Sequence, residues 1–150
     1  MVRSLLIALT LCAFGCSSPA ESDPEALSIE LRLYPTGVEA DPRYTVSVVG
    51  DTVIATDSYP SLTGGRPSVR RALFAPERDS LGRLVTAVTS GRDETNEPPA
   101  DAWGATLTIR GDVVYRDGDF SFESPPGEVR SLVRYMRELS GLRIELYSFA

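Results

Sequence analysis

"WGATLTIRGDVVYRDGDFSFESPPGEVRSLVRYMRELSG", Trp103 to Gly141, changes its hydrophobic period once, and that change decides the fold. Up to Glu123 apolar and polar residues alternate, as on half-buried strands. Gly111-Asp112 and Asp117-Gly118 supply turn chemistry, so this part predicts a meander of three short strands. After Pro125 the period lengthens. Val129, Leu132, Val133, Met136 and Leu139 fall on one stripe of a helix. Ser124 before Pro125 suits the start of that helix, and Gly141 suits its end. "LRIELYSF" alternates again, with Leu142, Ile144, Leu146 and Phe149 on one side, and predicts a closing strand.

The same two periods occur upstream. "SIELRLY", Ser28 to Tyr34, reads as a half-buried strand, and "YTVSVVGDTVIAT", Tyr44 to Thr56, as a hairpin about Gly50-Asp51. Asp57 to Ser68 holds Pro60, Gly64, Gly65 and Pro67 and predicts a long open loop; "VRRALF" follows as a further short strand. Leu81, Leu84, Val85 and Val88 then share one helix face, with Pro76 in the first turn and Gly91 as the stop. Gly82 inside that helix costs about 1 kcal/mol against Ala. "RDETNEPPADA" is a polar, acidic connector. Thr45 to Ala55 echoes Thr106 to Tyr115, and the helix after each is similar. One reading is a duplicated strand-hairpin-helix unit; the other is the general likeness of any two such segments. Both give the same class: α+β, a mostly antiparallel sheet with two helices packed on one face.

At the amino end, Arg3 precedes a nearly unbroken apolar run, Leu5 to Phe14, of about ten residues, the length of a signal-peptide core. A spanning helix needs about twenty. Gly15-Cys16 and the polar tract from Ser17 to Pro24 resemble the lipobox of bacterial lipoproteins, although Ala13 and Phe14 stand where that family prefers Leu and a small residue. The resemblance implies cleavage before Cys16, acylation of Cys16 and a membrane anchor; Cys12 follows Leu11 and does not fit. The expected organisation is a signal peptide at 1–15, a lipidated Cys16 with its tether at 16–27, and one domain at 28–150. The expected location is the bacterial cell envelope, with Ser17 after the cysteine resembling outer-membrane sorting, the domain facing the periplasm. An ordinary secretory peptide cleaved near Ser18 or Ala20 is the competing reading.

Composition narrows the chemistry. There is no histidine, all 15 basic residues are arginine, and the formal net charge is −6. Nucleic-acid binding is disfavoured. Without His or Lys there is no Ser-His-Asp triad, no His-ligated zinc, no Schiff base and no Ser-Lys dyad. P-loop and GxGxxG motifs are missing as well. The expectation is a non-enzymatic domain, without cofactor or metal, that binds a macromolecular partner, an envelope protein. A hydrolase of envelope glycans built on carboxylates is the enzymatic alternative.

Two arginine-bearing segments are candidate partner sites. Arg130, Arg134 and Arg137 lie within a roughly 60° arc of the second helix, about 120° from its apolar stripe, at 100° per residue. They could dock acidic groups or lipid phosphates, or form a solvated face with Arg134 paired to Glu138. "SYPSLTGGRPSVRR", Ser58 to Arg71, interrupts the echo between the halves and carries Tyr59, Arg66, Arg70 and Arg71. Asp112, Asp117, Asp119 and Glu123 give a hairpin a negative edge, but "DGDFSFE" lacks the spacing of a Ca²⁺ loop. Trp103 reads as a core anchor.

From "ADAWGATLTI" through "FSFESPPGEVRSLVRYM", strand, turn, strand and Pro-started helix follow in an order that loosely resembles the emfourins, small bacterial inhibitors of thermolysin-like metalloproteases. The chain departs from that family at "RLYPTGVEA", where a glycine pair is the family's habit. The resemblance implies an inhibitor of such proteases and carries over no site residue.

Overall fold

The computed structural model describes residues 26–35, 42–60, 67–88 and 102–146. The signal segment 1–15, Cys16 and the tether up to residue 25, Arg66, Gly91, the acidic connector up to residue 101, and Phe149 lie outside them. The strands are β1 (Ser28–Tyr34), β2 (Tyr44–Val49), β3 (Thr52–Asp57), β4 (Ser68–Ala72), β5 (Gly104–Ile109) and β6 (Asp112–Asp117). The helices are α1 (Ala75–Val88) and α2 (Gly127–Ser140). All six strands form one antiparallel sheet in the order β4-β3-β2-β1-β5-β6. The fold is α+β.

Alternation places Ile29, Leu31, Leu33, Val46, Val48, Val53, Ala55 and Leu107 on one face of the sheet, all buried. Leu81, Val85 and Val88 of α1 and the whole predicted stripe of α2, Val129 to Leu139, close over that face. Burying a Leu or Val side chain contributes about 1.5–3 kcal/mol, so this layer of packing holds the domain together. The hairpin turns follow from backbone chemistry. Gly50 (φ 55°) opens the β2–β3 turn, and Arg110 (φ 53°) and Gly111 (φ 88°) both take the left-handed region that a tight β5–β6 turn demands.

Three expectations need correction. "DFSFE" is not a third strand of the meander. Phe120 extends the ladder by one bond, its N–H donating to Trp103 O at 2.7 Å. Ser121 and Ser124 then bind each other's backbone and hydroxyls, taking up groups that a strand would have offered to a neighbour. For the same reason Ser124 does not cap α2. The helix starts after Pro126, which is extended and makes no side-chain cap. Lastly, "LRIELYSF" is not a strand over its described part, 142–146. Its phase is right, with Ile144 buried and Leu142 and Leu146 half-buried. Its backbone, however, is held by side chains: Ser140 Oγ accepts from Leu142 N, and Arg137 donates to Ile144 O.

β1 sits between the two hairpins, antiparallel to both β2 and β5. Hence β2 and β5 run in the same direction, while one hairpin extends from β1 to the left and the other to the right. Both turn their apolar side to the same helical layer. Only a reflection relates the two layouts; no rotation superposes one hairpin and its helix on the other. The echo between the halves is one of element order along the chain.

Candidate functional site

The helices cover one face of the sheet. The other face carries no helix among the described residues, although Tyr34 and Thr106, which the register puts on its side, are buried. The pairing register puts three rows of side chains across it. One runs Val113, Thr108, Glu30, Ser47, Ile54, Arg70; on one side of it runs Arg116, Thr106, Arg32, Thr45, Thr56, Ser68, and on the other Ser28, Val49, Thr52, Ala72. Neighbours within a row, on adjacent strands, are about 4.8 Å apart. Short hydroxyl side chains dominate, and a small network occupies the centre. Arg32 Nε lies 2.5 Å from Glu30 Oε1, and Ser47 Oγ lies 3.4 Å from Glu30 Oε2. Val113, at the β6 edge of the Glu30 row, and Val49, on β2 in the row beyond, are 51% and 58% exposed. The sequence carried the signal in "TLTI", "TVSVV" and "TVIAT": every second residue that is not apolar is Thr or Ser.

The arginine stripe of α2 is engaged inside the chain. Arg134 Nη2 donates to both carboxylate oxygens of Glu123, eleven residues back, instead of pairing with Glu138. Arg130 Nε donates to Pro125 O at 2.8 Å. Arg137 lies 4.3 Å above the Phe122 ring and reaches Ile144 O at 3.3 Å. The three residues latch two irregular segments, 121–125 and 142–146, to the helix. Between the latches lies a groove of about 550 Å³ lined by Ser121, Phe122, Arg137, Ile144, Glu145 and Leu146. The Arg134 guanidinium holds the Glu123 carboxyl below the usual range.

The residues of the long loop separate. Tyr59 is 45% exposed, its N–H donating to Asp57 Oδ1 at 2.9 Å. Arg70 stands on the open face of β4, paired in register with Ile54. Arg71, one residue on, points the other way, into the helical layer. Its guanidinium is 2.7 and 2.8 Å from the two oxygens of Glu77 and 3.3 Å from Leu139 O. Glu77 also accepts from Phe74 N at the start of α1. One charge pair thus joins β4, α1 and the end of α2, and the Arg71 hydrogen bonds hold the Glu77 pKa low.

At the end of the sheet where β2 begins and β3 ends, Arg43 and Asp57 form a buried ion pair, Nε to Oδ1 3.6 Å. The Arg43 guanidinium lies 5.0 Å from the Tyr44 ring, which stacks at 6.0 Å on Trp103. Trp103 is a core anchor, as expected. Burial pushes the Tyr44 hydroxyl pKa up, against the pull of the Glu145 backbone and the Arg43 charge. The Pro- and Gly-rich composition from Asp57 to Ser68 predicts a loop, but Asp57 ends β3 and Ser68 begins β4, so the expected loop is shorter at both ends.

The acidic hairpin residues have structural partners. Asp117 accepts from Tyr115 Oη at 2.6 Å and from Asp119 N at 3.0 Å. Among the described residues no three His, Cys, Asp or Glu side chains gather as a metal site would require, and no helix is long and apolar enough to cross a membrane. Comparison with known protein families, with curated proteins and with solved structures finds no match.

Proposed function

We propose that this chain is a lipid-anchored protein of the bacterial cell envelope whose α+β domain binds a macromolecular partner without catalysis. The observation that supports it best is the helix-free sheet face. It is broad and rich in hydroxyls, and its β-branched side chains are stiff, so holding them in place for a partner costs little entropy. The Gly15-Cys16 resemblance supplies the anchor, and the lack of His and Lys removes most nucleophilic and general-base machinery. The arginine stripe of α2 contributes to a partner site only through donors left over from its latches.

The test couples the full chain, purified in detergent, to a column and passes solubilised envelope over it. Parallel columns carry Thr45→Val/Thr56→Val on the open face, and Arg130→Ser/Arg134→Ser/Arg137→Ser on α2. An envelope component kept by the native chain and lost on the first variant supports the open face; loss only on the second moves the site to α2. An empty native column overturns the binding reading. Metabolic labelling with palmitate tests the anchor: label should appear on the native chain and vanish with Cys16→Ser.

The β5–β6–α2 order, with its Pro125-Pro126 start, supports a second reading as an emfourin-like inhibitor. That reading fails if the chain leaves thermolysin-class proteases fully active at micromolar concentration.

A further inference from the structure

We propose that the open sheet face binds a carboxylate-bearing glycan strand, laid across the β-strands. The inference rests on the reading of this chain as an envelope-binding protein and names its partner's chemistry. Three properties of the face point the same way.

Hydroxyls come first. Thr45 and Thr56 lie side by side in one cross-strand row and Ser47 in the next, while Thr106, further along the first, is buried. Each hydroxyl both donates and accepts, which is the hydrogen-bonding character of sugar hydroxyls. The second property is charge. Arg32, Arg70 and Arg116 share the face with one carboxylate, Glu30, in a chain whose net charge is −6. The local sign is therefore opposite to that of the whole molecule and complementary to an anion. Arg116 and Arg32 flank Thr106 in the same row, about 10 Å apart at two strand spacings, the scale of a two-sugar repeat. The third property argues against a protein partner. Protein interfaces concentrate aromatic, Met and Arg anchors at a desolvated centre. Here the centre is a Glu30–Arg32 pair among hydroxyls, the three rows hold no aromatic or Met side chain, and their apolar members are scattered, Val113 and Ile54 in the Glu30 row and Val49 in the row beyond it.

The test uses the full chain in detergent. The probes are polygalacturonate, its uncharged methyl ester, and isolated peptidoglycan sacculi; affinity is measured by titration at low and moderate salt. Expected are binding to polygalacturonate and sacculi and at least tenfold weaker binding to the methyl ester. Thr45→Val/Thr56→Val and Arg70→Gln/Arg116→Gln should each weaken binding at least tenfold while circular dichroism and melting stay native. Arg83→Gln on α1 should change nothing. Equal affinity for the methyl ester, full affinity in the valine variant, or a dimer that the same variants dissociate would each overturn the inference. So would failure to bind any glycan. In that case, a protein kept on the envelope column leaves the binding reading standing, whereas an empty column removes both.

Discussion

Asp57 shows how much one residue's assignment can hide. The Pro- and Gly-rich stretch that follows it reads as a loop, yet Asp57 ends β3 with its side chain turned inward to Arg43, both nearly inaccessible. Taking away one member of a buried pair strands the other charge. Asp57→Ala should therefore destabilise the domain by about 3–5 kcal/mol, read from denaturant midpoints, while Arg43→Met/Asp57→Leu should recover much of the loss. Glu77 makes a different prediction, because its pKa is lowered in the folded state by Arg71. A depressed carboxylate stabilises fully above its unfolded pKa, about 4.3, and loses that contribution as pH falls through the folded value. Melting temperature should accordingly drop on the acid side of about pH 4.3, and Glu77→Gln should flatten that limb while lowering stability at pH 7. An unchanged acid limb in the variant would remove Glu77 from the account.

Among the elements, α2 was legible almost residue for residue, because a stripe at helical spacing leaves few alternatives. The segments on either side of it were not. "FSF" and "LRIEL" carry strand periodicity, but periodicity cannot reveal whether a sheet edge is within reach, and here serine hydroxyls and Arg137 take the backbone groups instead. Nor could spacing reveal the Arg134 partner, since the Ser121–Ser124 turn is what carries Glu123 to it. The glycines of the two helices give opposite predictions for one substitution. Gly82 has helical backbone inside α1 and open space where a Cβ would go, so Gly82→Ala should stabilise by about 1 kcal/mol. Gly141 closes α2 at φ 61°, so Gly141→Ala should destabilise by about 1 kcal/mol through backbone strain alone. Thermal or urea melts of the two variants decide both signs. The edge strands also differ from the interior. β4 is short and carries Arg70 and Arg71; β6 holds Asp112, Arg116 and Asp117 and a register irregularity opposite Leu107/Thr108. Charge and bulges of this kind discourage pairing with another chain.

At the scale of the molecule, the α+β class and the one-sided helical layer could be read from the order of periods. The mirrored layout about β1 could not, because nothing in a strand's own sequence says which neighbour it will take. That layout gives amide exchange a definite pattern: protection should be highest in β1, β2 and β5 and lowest in β4 and β6, each of which is paired on one side only. Uniform protection across the sheet would contradict it. The position of β1 also has a mechanical meaning. The described chain enters the sheet directly through β1, whose first residues are tied to both turns, Leu27 O accepting from Gly50 N and Ser28 O from Arg110 N. A pull applied at that end runs along the strand axis and meets two ladders in shear, so their hydrogen bonds resist together and do not peel one by one. Tension delivered through an amino-terminal tether would thus fall on a strand bonded on both sides, and the edges of the sheet would be spared.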